Sequence, residues 1–128
     1  MTTTNAALAD ELARYGVDAF AMTVTDAARP HIAPVRVERA ADGRLEVLLL
    51  PGSRTERNAA VNTTVCLHWP GRADTDGYSL IVDGEATLER RAHDTVLRVD
   101  PTKAVLHKLG APGVETNACG HDCVGLSL

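Results

Sequence analysis

The chain has 128 residues, 45% hydrophobic and 23% charged, which suits a single domain over 1–128 with its own core. A net charge of −4 argues against nucleic acid or an anionic membrane surface as the main partner. No apolar run approaches the roughly 18 residues of a membrane span, and MTTTNAALADELARYG lacks the regions of a signal peptide, so a cytoplasmic protein is expected.

Residues 5–15 predict a helix, with Leu8, Leu12 and Tyr15 on one face, Asn5 as cap and Gly16 as terminator. In AFAMTVT the alternation of Phe20, Met22 and Val24 predicts a strand, and Asp26 to Pro30 a turn. His31 to Arg39 is the second strand, with Ala33, Val35 and Val37 on one face, and Ala40 to Gly43 is a hairpin turn. Leu45 to Leu50 is the third strand, and Pro51-Gly52 stops it, since Pro has no N–H and Gly permits positive φ. A short helix runs from there to about Val61.

Thr63 to Trp69 is the fourth strand, with Val65, Leu67 and Trp69 pointing one way. Pro70 to Gly77 is a polar loop. Tyr78 to Glu89 is the fifth strand, with Gly84 at a bulge. Arg90 to Val99 is expected to form a short helix closed by Asp100-Pro101, and Thr102 to Leu109 a last strand. From Gly110 the tail reads as irregular. With few crossover helices available for a parallel sheet, six short strands predict an antiparallel barrel, mainly β with short helices.

The stretch from Gly43 to Asn62, GRLEVLLLPGSRTERNAAVN, has two readings. A helix that starts abruptly after a strand leaves unpaired N–H groups that favour an anion. Ser53, Thr55, Arg54 and Arg57 gather there, which suits a phosphate. Equally, Ser53 followed three residues later by Glu56 is a capping box that satisfies the helix's own donors.

The segments MTVTDAARPHIAPV, GRLEVLLLPGSRTERNAAVNTTVCLHW and YSLIVDGEATLE, covering roughly residues 20 to 90, together resemble the FMN-binding split barrel of the pyridoxamine 5′-phosphate oxidase family, whose relatives include F420-dependent reductases. The resemblance rests on order and spacing: strand, Gly-Ser-Arg turn, short helix, Asn, strand, then a strand with hydrophobic-x-Gly-x-Ala. It implies a six-stranded antiparallel split β-barrel, a homodimer, and FMN or F420 at the subunit seam. It implies that Ser53, Arg54 and Thr55 face the cofactor phosphate. It also implies that backbone near Pro34, Val35, Leu48 and Leu49 faces the ring. Two family charges are replaced here: Thr55 stands where a lysine is usual, and Ala33 near a strand arginine, leaving Arg57 or Arg36 to compensate. The C-terminal substrate segment is also missing, so pyridoxamine phosphate oxidation itself is not expected. What is expected is a flavin- or deazaflavin-dependent oxidoreductase acting on a small organic substrate; the alternative is a non-catalytic flavin- or haem-binding barrel.

Because such a cofactor carries the redox chemistry, few dedicated acid–base residues are needed. Arg36 either faces the reduced ring as a cation or lies on the solvated face. His31 and His68 lie on strands of the expected pocket, as proton shuttles or as structural residues. His107, Cys119, His121 and Cys123 are metal-capable side chains, but Cys119 and Cys123 lack a second ligand pair. No metal is therefore assigned; reduced thiols or a redox pair are the other readings.

Overall fold

The computed structural model describes residues 6–110 and 121–128, with only the backbone of His121 and Asp122. Helix α1 (Leu8–Tyr15) is followed by β1 (Asp18–Val24), β2 (Pro30–Arg39) and β3 (Leu45–Leu49). Then come α2 (Arg54–Val61), β4 (Thr64–Trp69), a 3-10 turn (Ala73–Thr75), β5 (Ser79–Arg90), β6 (Thr95–Leu109) and β7 (His121–Gly125). The sheet order is β3-β2-β1-β4-β5-β6-β7, and β3 also pairs with β6. Six antiparallel strands thus close a barrel and β7 lies outside it, the split-barrel arrangement expected from the sequence.

Period-two alternation sets the core. Ala19, Ala21 and Thr23 of β1, Val37 of β2, Val47 and Leu49 of β3, Val65, Leu67 and Trp69 of β4, and Leu80 and Val82 of β5 are buried. Phe20, Met22 and Val24 alternate as expected, but it is the smaller residues between them that face inward. The larger set takes the outer surface, where Met22 and its cross-strand partner Ile32 are 38% and 56% exposed. Small residues suit the interior of a narrow barrel that Trp69 and the leucines already fill.

A register shift between Asp83 and Gly84 marks the bulge expected at Gly84. A methyl group there would lie 2.5 Å from Val99 Cγ1 and 2.6 Å from the Asp100 carbonyl oxygen, so the two backbones can meet only at glycine.

Two expectations are corrected. Arg90 to Val99 contains no helix: the chain turns at 91–94 and enters β6 at Thr95, whose first residues, Thr95 to Val99, pair with β3 and close the barrel. Val96, Leu97 and Val99 are all buried, so both faces of this strand are apolar and the period-two signal is lost. The tail is also not irregular throughout. His121 to Gly125 pairs with Val105 to Leu109, adding a seventh strand. This strand exists because β6 offers a free edge beyond the closed barrel, which local sequence does not show.

A helix covers each barrel end. Around α1, Tyr15 Oη donates to the Tyr78 carbonyl at 2.5 Å and Trp69 Nε1 to the Gly16 carbonyl at 3.0 Å. Arg72 stacks 5.5 Å from the Tyr15 ring centre and donates to the Tyr15 carbonyl. The first residue of α1 follows Ala7, which gives no side-chain cap; Asn5 lies outside the described residues. At the other end, α2 is anchored by Asn58 Nδ2 donating to Thr23 Oγ1 at 3.1 Å and by Thr95 Oγ1 donating to Glu56 at 2.7 Å. No described helix is long and apolar enough to cross a membrane.

Candidate functional site

The turn from β3 into α2 is built as the capping box required. Gly52 takes φ +77°, which lets the chain reverse within two residues. Ser53 Oγ accepts from the Glu56 N–H at 3.3 Å, and a Glu56 carboxylate oxygen accepts from the Gly52 N–H at 3.2 Å. The same carboxylate takes the Thr95 hydroxyl and Arg90 Nε (3.1 Å). These contacts, the Thr95 hydrogen bond first, hold the Glu56 carboxyl below its usual range although burial opposes them. Arg57 Nη1 donates to the Gly52 carbonyl at 2.6 Å. The chain's own groups thus take the Glu56 and Gly52 amides and the Gly52 carbonyl, while among the described residues the Arg54 and Thr55 amides and the Ser53 hydroxyl hydrogen are left to donate.

The unusual feature lies along the side of α2. Arg54, Arg57, Asn58 and Val61, spaced by three and four residues, form one stripe of the helix. With Thr25, Asp26 and Arg29 of the β1–β2 turn they line an open groove of about 510 Å³. Elsewhere the arginines are paired: Arg14 with Glu11, Arg36 with Glu38, Arg44 with Asp42, Arg72 with Asp74, Arg90 with Glu56, Arg91 with Glu89, and Arg98 with Glu46 and Glu89. Among the described residues Arg29, Arg39, Arg54 and Arg57 have no carboxylate partner, and three of these four line this one groove. Three like charges against the single carboxylate of Asp26 are unfavourable, and an anion between them would reverse the sign.

The other expected site residues separate into two groups. Arg36 and Leu48 share a smaller groove of about 160 Å³ with Glu38, Glu46, Arg91 and Val96. Pro34 is exposed, Val35 half-buried, and Leu49 only 6% exposed; backbone is what they would offer a ring. Thr55 is buried and does not line the arginine groove, so it seats the helix. Arg29 had no signal in the sequence beyond its place in a turn; its role depends on that turn folding against α2.

His31 lies opposite Thr23, and its Nδ1 is buried without a hydrogen-bond partner. His68 lies on the outward face of β4, where burial and then the charge of His107 lower its pKa. Burial and an Asp83 hydrogen bond push Cys66 up to about 12, so it is an inert thiol near neutral pH. Cys123 is exposed; Cys119 and the His121 side chain lie outside the described residues. Among the described residues no three His, Cys, Asp or Glu side chains are grouped to hold a metal ion.

No family model matches the chain. It is 40% identical over 122 residues to two uncharacterised mycobacterial proteins, Mb0449c of Mycobacterium bovis and MT0457 of Mycobacterium tuberculosis, covering 86% of this chain and 85% of each of them. Solved structures with the same fold include a protein of Clostridium acetobutylicum related to general stress protein 26, of the pyridoxinephosphate oxidase family, with TM-score 0.64 and 11% identity over 78% of this chain and 85% of that one. An F420 reductase gives 0.62 and 14% over 74% and 94%. A haem-binding protein of Mycobacterium smegmatis gives 0.68 and 12% over 98% and 59%.

Proposed function

Because the chain belongs to the family of Mb0449c and MT0457 and has the split-barrel fold of the pyridoxamine 5′-phosphate oxidase-like proteins, we propose that it binds FMN or F420 at the seam of a homodimer and acts as an oxidoreductase on a small organic substrate. One observation carries the reading: three of the four unpaired arginines meet in the groove beside α2, on a chain whose net charge is −4. The donor set fits a phosphate, since guanidinium forks bind its oxygens in pairs. Arg54 and Arg57 hold the phosphate, and the Ser53 hydroxyl can donate to it.

The turn bearing Arg29 leads directly into Ile32 and Pro34. Ile32, Met22 and Leu48, at 38–56% exposure, offer apolar surface to a planar ring and to a second copy of the chain. Backbone near Pro34, Val35, Leu48 and Leu49 orients the ring, and Arg36 stands beside it as a cation. When bound, the flavin or deazaflavin supplies the hydride or electron transfer; the chain binds it, orients it and excludes water.

The absorbance spectrum of the purified protein, then titration with FMN and F420 under a nicotinamide donor, tests this. We expect binding by one cofactor to raise stability by about 2.7 kcal/mol at 100 times Kd, with turnover. Colourless protein that neither cofactor stabilises overturns it. The alternative is a non-catalytic flavin- or haem-binding barrel. The haem-binding neighbour, and two outward histidines close enough for His107 to affect His68, favour it. A Soret band lost when His107 or His121 is replaced, without turnover, would establish that reading.

A further inference from the structure

We infer that Arg29 is the third ligand of the groove beside α2, and that the groove is matched to a doubly charged phosphate monoester, such as the terminal phosphate of FMN, rather than to a singly charged diester. The inference rests on the flavin-binding reading above and names the residue and the charge state that reading leaves open.

Charge and position together set the match. Arg29 and Arg54 make no side-chain hydrogen bond or ion pair among the described residues, and Arg57 donates only to the Gly52 carbonyl. The single acid on the groove, Asp26, forms an ion pair with none of them. Three guanidiniums against one carboxylate leave a twofold positive excess. A monoester dianion cancels it; a diester leaves one like-charge repulsion standing.

The backbone of Arg29 is also held. Its carbonyl accepts from the Thr25 N–H at 2.9 Å, and its own N–H donates to Thr25 Oγ1 at 3.0 Å. The side chain therefore departs from a fixed backbone point beside α2, and only its own rotamers must be ordered on binding.

The test compares FMN with riboflavin, which has the same ring and no phosphate, and with F420, by fluorescence titration of the wild type, Arg29→Gln and Arg39→Gln. Arg39→Gln removes the other unpaired arginine, at the α1 end. Melting curves confirm that each variant folds, as exposed positions allow. We expect the wild type to prefer FMN over riboflavin by at least about 100-fold, and Arg29→Gln to shrink that preference by about 10- to 100-fold with riboflavin unaffected. Arg39→Gln should change nothing. FMN affinity should also rise as pH increases through about 6, where the monoester takes its second charge.

An FMN preference unchanged in Arg29→Gln overturns the inference while leaving the flavin reading intact. Tighter wild-type binding of F420 than of FMN overturns the charge matching. Should neither cofactor bind, millimolar inorganic phosphate is the probe. A phosphate-induced rise in melting temperature that Arg29→Gln abolishes sustains the anion site and retires the cofactor reading; no rise overturns both.

Discussion

The two ends of the barrel solve the same problem with opposite charge economies. Each end is covered by a helix of eight residues. At the α1 end the polar groups are spent on the chain itself: Arg72 on Asp74, Tyr15 and Arg14, Tyr15 on Tyr78, Trp69 on Gly16. Even the unpaired Arg39 shares its groove there with Asp42 and Asp100. At the α2 end the buried face is equally satisfied, through Glu56 and Asn58, but the outer stripe carries guanidiniums with no carboxylate partner. One end is a closed lid, the other a lid with a charged outer edge. Satisfied polar groups signal structure; unsatisfied charge in a groove signals a partner.

Substitutions at the two ends should therefore separate stability from binding. The largest effect is expected at the closed end. Trp69→Ala removes a side chain only 1% exposed and should cost about 3–5 kcal/mol, read by denaturant unfolding. Arg54→Ala at the other end should leave the unfolding midpoint unchanged yet weaken phosphorylated-cofactor binding by about 1.5–3 kcal/mol. A loss of stability without loss of affinity would make Arg54 structural and erase the contrast.

Glu56→Gln sharpens it from within α2. It loses the charge-assisted contacts to Thr95, Arg90 and Gly52 and should destabilise by about 1–3 kcal/mol. The pH dependence has a definite sign. The folded-state pKa of Glu56 is lowered, so its contribution is fully present above the ordinary glutamate value of about 4.3 and fades as pH falls through the lower folded value. Acid unfolding curves of wild type and Glu56→Gln should converge at low pH; curves that stay parallel would refute this. The smallest effect is expected for Arg72→Ala, whose contacts are largely exposed. It should lower the melting temperature less than the substitutions at Trp69 and Glu56 and leave cofactor affinity untouched.

Much of the frame was legible in the chain. The alternation in β4 and β5, the stop at Pro51-Gly52, the bulge at Gly84 and the Ser53–Glu56 cap each follow from side-chain period or backbone stereochemistry within a dozen residues. The first strand of the barrel was legible as a strand but not in its facing, because its larger apolar residues point outward. The start of β6 was hidden by apolar residues on both faces, and β7 by a pairing partner twelve or more residues away.

For the site the division is similar. Arg54 and Arg57 stood out beside the turn, and Arg36 and Leu48 were placed near each other. Arg29 did not stand out, because nothing local distinguishes an arginine in a turn.

By itself, then, the sequence determined which segments extend, where they stop and which side chains can serve as cation or cap, since those properties act over a few bonds. Only the tertiary structure decided that the barrel closes through β3 and β6, that Glu56 also takes Thr95 and Arg90, and that Arg29 comes to the same groove as Arg54 and Arg57. Closure and charge clustering join residues far apart in the chain, and their energy depends on distances that no local pattern encodes.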